Sequence, residues 1–469
     1  MKNIKQFILS KKSILVLIIT MSLPAIGEMA LNTMLGVSDT IMISRFIGKE
    51  ALASVGFANQ IVFTLIFIFA AFNTGAVALI SRSFGEKNFK RLKEIAEQNV
   101  TLNLLIGLVI LLLSIIFNHQ IFRIFDVSKE IYLDTLKYFN IILVGFVPMF
   151  LCFSFAAILR GSGNTMTPMV ITGIANVINI IGNYVLILGI GPFPQMGITG
   201  AAWATSGSRI LALLIYIYVI YIKDSDIRLK FVLFVKKDII RPLWNISLPG
   251  GIEQALMQLS FLVMAVIISK LDTVSEATFR ILIQIESLSF MPAVGMSIAT
   301  ATLVGKSLGE KNTKKASEVG YLSIAIGLVW AIIIGSLFIF LPGGILSIFS
   351  KDQLIIQTGI FAMLFIGINQ IGLNYNIIIC GALRGAGDTK TVMINTVLRL
   401  WLIFVPFTYL FVIVLNKGLA GIWYAELLSF AVFGTQLFFR FKGRKWAKLK
   451  IDTPGVNMNK NLDQSLVDA

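Results

Sequence analysis

Residues Ser22–Asp39 read SLPAIGEMALNTMLGVSD and lie inside an apolar run, 13–44, that is free of lysine and arginine. A run of that length exceeds the roughly 20 residues a helix needs to cross a bilayer. It nevertheless carries two carboxylates, Glu28 and Asp39. At about 100° per residue a helix returns Glu28, Asn32, Leu35 and Asp39 to one face over roughly 16 Å, a polar stripe on a hydrophobic rod. Ionisable groups at membrane depth cost several kcal/mol unless they face a cavity or a partner, so both read as functional, the alternative being a hydrated or paired residue near a helix end.

The remainder of the chain has the same character. Of 469 residues 57% are hydrophobic and 14% charged, with a mean hydropathy of +0.86, against about 25% charged in soluble domains. Further apolar runs lie near 51–81, 92–118, 130–159, 166–191, 197–221, 239–269, 275–305, 316–341, 353–383, 391–415 and 418–441. With the first they make about twelve spans. The lysine-bearing start, MKNIKQFILSKK, precedes an apolar stretch too long for a signal-peptide core, so it is expected to be an uncleaved first span. The formal charge of +16 resides mostly at the N-terminus, in the even-numbered connections and at the C-terminus. That placement predicts cytoplasmic termini in a cell-membrane protein and contact with anionic lipid, and needs no nucleic-acid partner. Cys152 and Cys380 lie in apolar runs, which excludes a disulfide framework or a metal cluster, and His119, a loop residue by this reading, is the single histidine.

The second half restates the first. SLPAIGE at Ser22–Glu28 returns as SLPGGIE at Ser247–Glu253, 225 residues on. SFGEKN at Ser83–Asn88 returns as SLGEKN at Ser307–Asn312, and ILRGSGNT at Ile158–Thr165 as ALRGAGDT at Ala382–Thr389, both at 224. A repeat of six spans enters the membrane twice in the same sense, so the halves are related by an axis along the membrane normal. The expected fold is an all-α membrane protein of twelve transmembrane helices in two six-helix bundles with pseudo-twofold symmetry. The divisions are 1–222, a connecting loop 223–238, a second bundle 239–442 and a polar tail 443–469.

Local chemistry adds detail. In GEKN the glycine is expected to stop a helix; in RGSG and RGAG glycine permits reversal and Arg160 or Arg384 sits favourably at a helix C-terminus. Neither motif cradles phosphate, since no strand precedes it. Asn176, Asn179 and Asn183 fall on one face of span five, suited to cation or water coordination or to helix pairing. Span seven carries Pro249 and Glu253, span eight Gln284 and Glu286, span eleven Asn395 and Arg399, span twelve Glu426. Pro24 and Pro249 remove a backbone hydrogen bond and are plausible hinges, or else ends of a first turn. The 16 methionines are expected mostly to pack the bundles and face lipid, with some lining an adaptable cavity.

These motifs together, with VSDTIMISRFIG in span one, NVINIIGNYVLILG in span five and RILIQIESLSFMPAVGMSIATATLVGKSLG across span eight, resemble the multidrug and toxic compound extrusion (MATE) transporters over residues 14–440. The resemblance implies a V-shaped pair of bundles that exports organic, often cationic amphiphiles while protons or sodium ions run inward. It further implies that Asp39 binds the coupling cation and that Asn179 is its partner. Asn183 stands where several relatives carry an aspartate. Met257 and Leu373 stand where the NorM-like branch carries a glutamate and an aspartate, so the chain leans toward the DinF-like branch, without a C-terminal cation site of the NorM type. The expected cation site is therefore Asp39, Asn179 and Asn183, with Glu28, Asn32, Asn176, Glu253, Gln284 and Glu286 as substrate-cavity residues. No cofactor, no metal and a monomer are expected, with protons ahead of sodium because one aspartate and amides offer little charge. A lipid-linked oligosaccharide flippase of the same superfamily is the alternative; a membrane-embedded transferase lacks its paired acidic motifs.

Overall fold

A computed structural model describes residues 2–223, 229–230, 232 and 234–449; side chains are described from residue 12 onward, Lys223 excepted. No strand occurs among the described residues. Eleven helices are long and apolar enough to span a membrane, and a pair bent by 48° at Gly145 makes a twelfth span. The first half comprises α1 (Lys2–Phe46), α2 (Lys49–Phe72), α3 (Thr74–Gly85), α4 (Phe89–Arg123), α5 (Lys129–Val144), α6 (Phe146–Gly161), α7 (Met166–Leu188) and α8 (Ile198–Ile217). The second comprises α9 (Lys237–Ile268), α10 (Thr273–Gly309), α11 (Thr313–Phe340), α12 (Pro342–Phe349), α13 (Gln353–Gly385), α14 (Thr389–Leu398), α15 (Val405–Tyr409) and α16 (Gly421–Lys442), with π-helical turns on either side of α15. His119 belongs to α4, not to a loop. Pro24 and Pro249 lie within continuous helices, so neither ends a first turn.

The two GEKN segments show how this sequence reverses a helix. Lys87 and Lys311 each turn at φ +56°, and Asn88 and Asn312 then cap the next helix by accepting from the Arg91 and Lys315 backbone N–H at 3.1 and 2.9 Å. The stop assigned to glycine thus belongs to the lysine and asparagine. Gly85 and Gly309 do something else: a Cβ at Gly85 would stand 2.1 Å from the Lys306 carbonyl oxygen, and one at Gly309 would stand 2.0 Å from that of Arg82. They mark where α3 of one half crosses α10 of the other, backbone on backbone. Asn88→Ala and Asn312→Ala are each expected to cost about 1 kcal/mol of stability through the lost cap, read as a lower unfolding midpoint for the purified protein.

The buried cores follow this crossing. One core joins Ile14, Ile18 and Met21 of α1 to Leu303, Leu308, Ile378 and Trp446 of the second half. Another joins Leu79, Ile95 and Ile158 of the first half to Leu243 and Ile246 of α9. Each half therefore lends its first helix to the other half's core at the GEKN end. At the opposite end the cores are separate, one around Phe122, Phe139 and Ile187, the other around Leu282, Ile366 and Trp423. The two bundles are sealed together at the GEKN end and part toward the other.

Candidate functional site

Asp39 lies in the parting half, on α1. It is half-buried and accepts a hydrogen bond from Asn183 Nδ2 of α7 at 2.6 Å. The same amide nitrogen reaches Asn179 Oδ1 at 3.0 Å, and Asn179 Nδ2 donates to Thr205 Oγ1 of α8 at 3.2 Å. The four-residue spacing of Asn179 and Asn183 puts both amides on one helix face; burial of both, at 0% and 1% exposure, forces them to find partners there. Asn183 Oδ1 finds none among the described residues. Tyr138 of α5 presents its hydroxyl to Thr205 and Asn59, and Arg209, one turn along α8 from Thr205, brings the cation whose field reaches Asp39 and Tyr138. Arg209 Nη1 has no hydrogen-bond partner among the described residues.

Such a constellation can hold one positive charge. A carboxylate with neutral oxygens around it takes a proton, or a hard cation through Asp39, the free Asn183 Oδ1 and Thr205 Oγ1. Arg209 already supplies a positive charge to this low-dielectric region, and it opposes an incoming proton and an incoming metal cation alike. Among the described residues no group of three His, Cys, Asp or Glu could bind a metal ion.

The other expected cavity residues are placed differently. Asn176 Nδ2 donates to the Leu31 carbonyl at 2.8 Å and so fastens α7 to α1. Asn32 and Gln284 are exposed on α1 and α10. Glu28 and Glu253 do not stand as free cavity carboxylates. Arg160 Nη2 meets Glu28 Oε1 at 2.5 Å, and Arg384 Nη2 meets Glu253 Oε1 at 2.8 Å, with Thr396 Oγ1 donating to the latter at 2.8 Å. Desolvation is the reason: at 4% and 6% exposure a lone carboxylate is too costly, and the arginine of each RG(S/A)G turn is within reach. These arginines, taken from the sequence as helix-terminal charges, are the partners. The signal was there, since glutamate and arginine recur together at the repeat offset. Glu286 is buried in the second half beside Trp423 and Glu426. Sequence reasoning missed Arg209 and Thr205 of α8 and Tyr138 of α5, which lie on other helices than Asp39 and share no spacing with it.

Two bundles joined at one end, with a half-buried carboxylate and buried amides where they part, define a polytopic membrane carrier. The MatE family model matches residues 24–185 and 249–410, once in each half. The chain belongs to this family; it is a multi-span membrane transporter and not an enzyme. It is 31% identical to a probable multidrug resistance protein NorM of Thermotoga maritima, over 93% of this chain and 94% of that one. It is 28% identical to an uncharacterized transporter, YisQ, of Bacillus subtilis, over 90% and 93%. Among solved structures, the fold is similar to a MOP superfamily transporter from Pyrococcus furiosus, with TM-score 0.86 and 21% identity over 93% of this chain and 97% of that one. It is also similar to a multidrug resistance MATE family transporter in an outward-facing conformation, with TM-score 0.85 and 22% identity over 91% and 95%.

Proposed function

We propose that the chain is a proton-coupled antiporter of the cell membrane that exports organic, often cationic amphiphiles by alternating access, working as a monomer with both termini in the cytoplasm. The observation that carries this reading is the Asp39–Asn183–Asn179–Thr205 chain of hydrogen bonds in the parting half, with Arg209 behind it. The name of the Thermotoga maritima relative supports multidrug compounds as cargo. Basic residues gather at the sealed GEKN end, which the positive-inside rule assigns to the cytoplasm, so the cleft opens outward.

The cycle follows from charge. While Asp39 is ionised, a cationic cargo in the cleft has an attractive partner. A proton arriving from outside cancels that charge and weakens the bond from Asn183. The link between α1 and α7 then loosens, and the cargo is released as the proton enters. Sodium is the disfavoured coupling ion because one aspartate and amides offer little charge to a hard cation. The flippase is the less favoured reading: among the described residues the in-span arginines Arg209 and Arg399 are set beside the carboxylates Asp39 and Glu426.

Ethidium efflux from proteoliposomes, under pH and sodium gradients imposed separately, tests the reading. Wild type should respond to the pH gradient, and Asp39→Asn should lose gradient-driven efflux by at least tenfold while remaining folded. Full efflux in Asp39→Asn would overturn the assignment of the site.

A further inference from the structure

Two carboxylates of the second half stand close together, Glu286 buried with fewer partners than its burial demands and Glu426 half-buried beside it. Glu286 of α10 is 6% exposed; its Oε2 receives a long hydrogen bond from Trp423 Nε1 at 3.4 Å, and its Oε1 has no partner among the described residues. Glu426 of α16 lies three residues on from Trp423, near enough for the two carboxylates to feel each other's charge. Asn369 of α13 pins the group together, its Nδ2 donating to Glu426 Oε2 at 2.9 Å and to the Trp423 carbonyl at 3.1 Å. Asn369 is wholly buried, and its Oδ1 is unpartnered. One residue along α13, Gln370 Oε1 accepts from Ser289 Oγ at 3.0 Å and from Asn374 Nδ2 at 3.2 Å. Asn374 Oδ1, also wholly buried, stays free.

The charged side chain facing this group from the neighbouring element is Arg399, in the π-helical turn Arg399–Phe404. It lies over the Phe430 ring at 4.6 Å and donates to Ser429 Oγ at 3.3 Å. Its ionisable neighbours besides Glu426 are Glu253, already paired with Arg384, and Cys380. Arg399 makes no ion pair among the described residues, and its Nε is unpartnered. Two carboxylates against one guanidinium leave one negative charge where water cannot screen it. A single monovalent positive charge, received by Glu286 Oε1 and Asn369 Oδ1, makes the cluster neutral and satisfies its orphaned acceptors.

We propose that Glu286, Glu426 and Asn369 form a second site for one monovalent cation, a proton or a sodium ion, in the second half of the carrier, separate from the Asp39 cluster. Its carboxylates come from spans eight and twelve. They are not at Met257 and Leu373, the span-seven and span-ten positions where the resemblance places such groups. With one site in each half, the carrier takes up two positive charges per cycle. Export of one monovalent cation is then electrogenic, moving one net charge inward.

Binding is measurable without transport, so the proposal stands apart from the antiport reading. Infrared difference spectra of the carboxylic C=O stretch are recorded across a pH titration on the purified full-length protein, in potassium and in sodium buffers. Subtracting each variant's titration from that of wild type removes the exposed carboxyls, and two buried carboxyl signals should remain. Asp39→Asn should remove one, and Glu286→Gln or Glu426→Gln the other. If sodium at fixed pH abolishes the second signal, the ion is sodium; if pH alone moves it, the ion is the proton. An Asp39→Asn protein whose spectra are unchanged by adding Glu286→Gln or Glu426→Gln, with no sodium-dependent change, overturns the proposal, as does a second signal that persists in both glutamine variants. The Asp39 signal reports that those variants are folded. Should they fail to fold, Asn369→Ala in the Asp39→Asn background decides: a displaced midpoint supports the site, an unmoved one overturns it.

Discussion

Placing alanine at Gly309 is expected to move the carrier out of the state sealed at the GEKN end by about fivefold or more, and to depress transport with it. The new Cβ would stand 2.0 Å from the Arg82 carbonyl oxygen and 2.9 Å from the Glu86 backbone nitrogen. Neither is a side-chain atom that could rotate away, so α3 and α10 must separate. Overpacking of this kind costs about 1–3 kcal/mol. In an alternating-access cycle the cost falls on the sealed state alone, because the two helices part in the other. At about 1.4 kcal/mol per factor of ten, the equilibrium shifts by roughly fivefold to a hundredfold. Spin labels at Lys90 and Lys314, exposed residues of the two halves at this end, would report it as a growing population of longer distances. Gly344→Ala, where no atom lies within 4 Å of the added Cβ, is the control. An unchanged distance distribution in Gly309→Ala would show that the seam does not set the conformational balance.

The second large effect concerns stability. Arg160→Ala strips Glu28 of its only side-chain donor among the described residues, where Glu28 Oε2 is already without a partner. Breaking a buried pair from one side costs on the order of 3–5 kcal/mol, because an uncompensated charge stays behind. Arg384→Ala should cost less by about 1.5–3 kcal/mol, the worth of a hydrogen bond to a charged group, because Thr396 Oγ1 still donates to Glu253. Chemical unfolding of the purified protein measures both. Adding Glu28→Gln to Arg160→Ala should recover most of the loss, the non-additivity that marks a direct pair. If the two single variants unfold alike and near wild type, the pairs are surface ornaments and not supports of the fold.

The span count, the two-bundle arrangement and the repeat axis are legible in the sequence because hydropathy and duplicated motifs are local and strong. The Asp39 to Asn183 contact was legible only through resemblance, as two residues 144 positions apart carry no common period. What the sequence hid are the jobs done across helices. Glu28 looks like a functional charge until Arg160 is placed beside it, and Gly85 looks like a helix stop until α10 is packed against it. Arg209 gives no sign of proximity to Asp39, since α1 and α8 meet only after folding. Glu286 and Glu426 read as isolated charges in separate spans for the same reason.

The α3–α10 seam also carries a record of origin. Gly85 faces the carbonyl of Lys306 while Gly309 faces that of Arg82, and Gly305 would carry its Cβ into Ser81. Residue i meets j, and j's counterpart meets i's, which is the reciprocity of an isologous dimer interface. Because both halves cross the bilayer in the same sense, a six-span ancestor could pair with itself through this surface without reversing its insertion. The present chain carries that reciprocity within one polypeptide, where the two halves need not be identical. Asp39 marks one and the Glu286–Glu426 pair the other, at a seam still close to self-complementary.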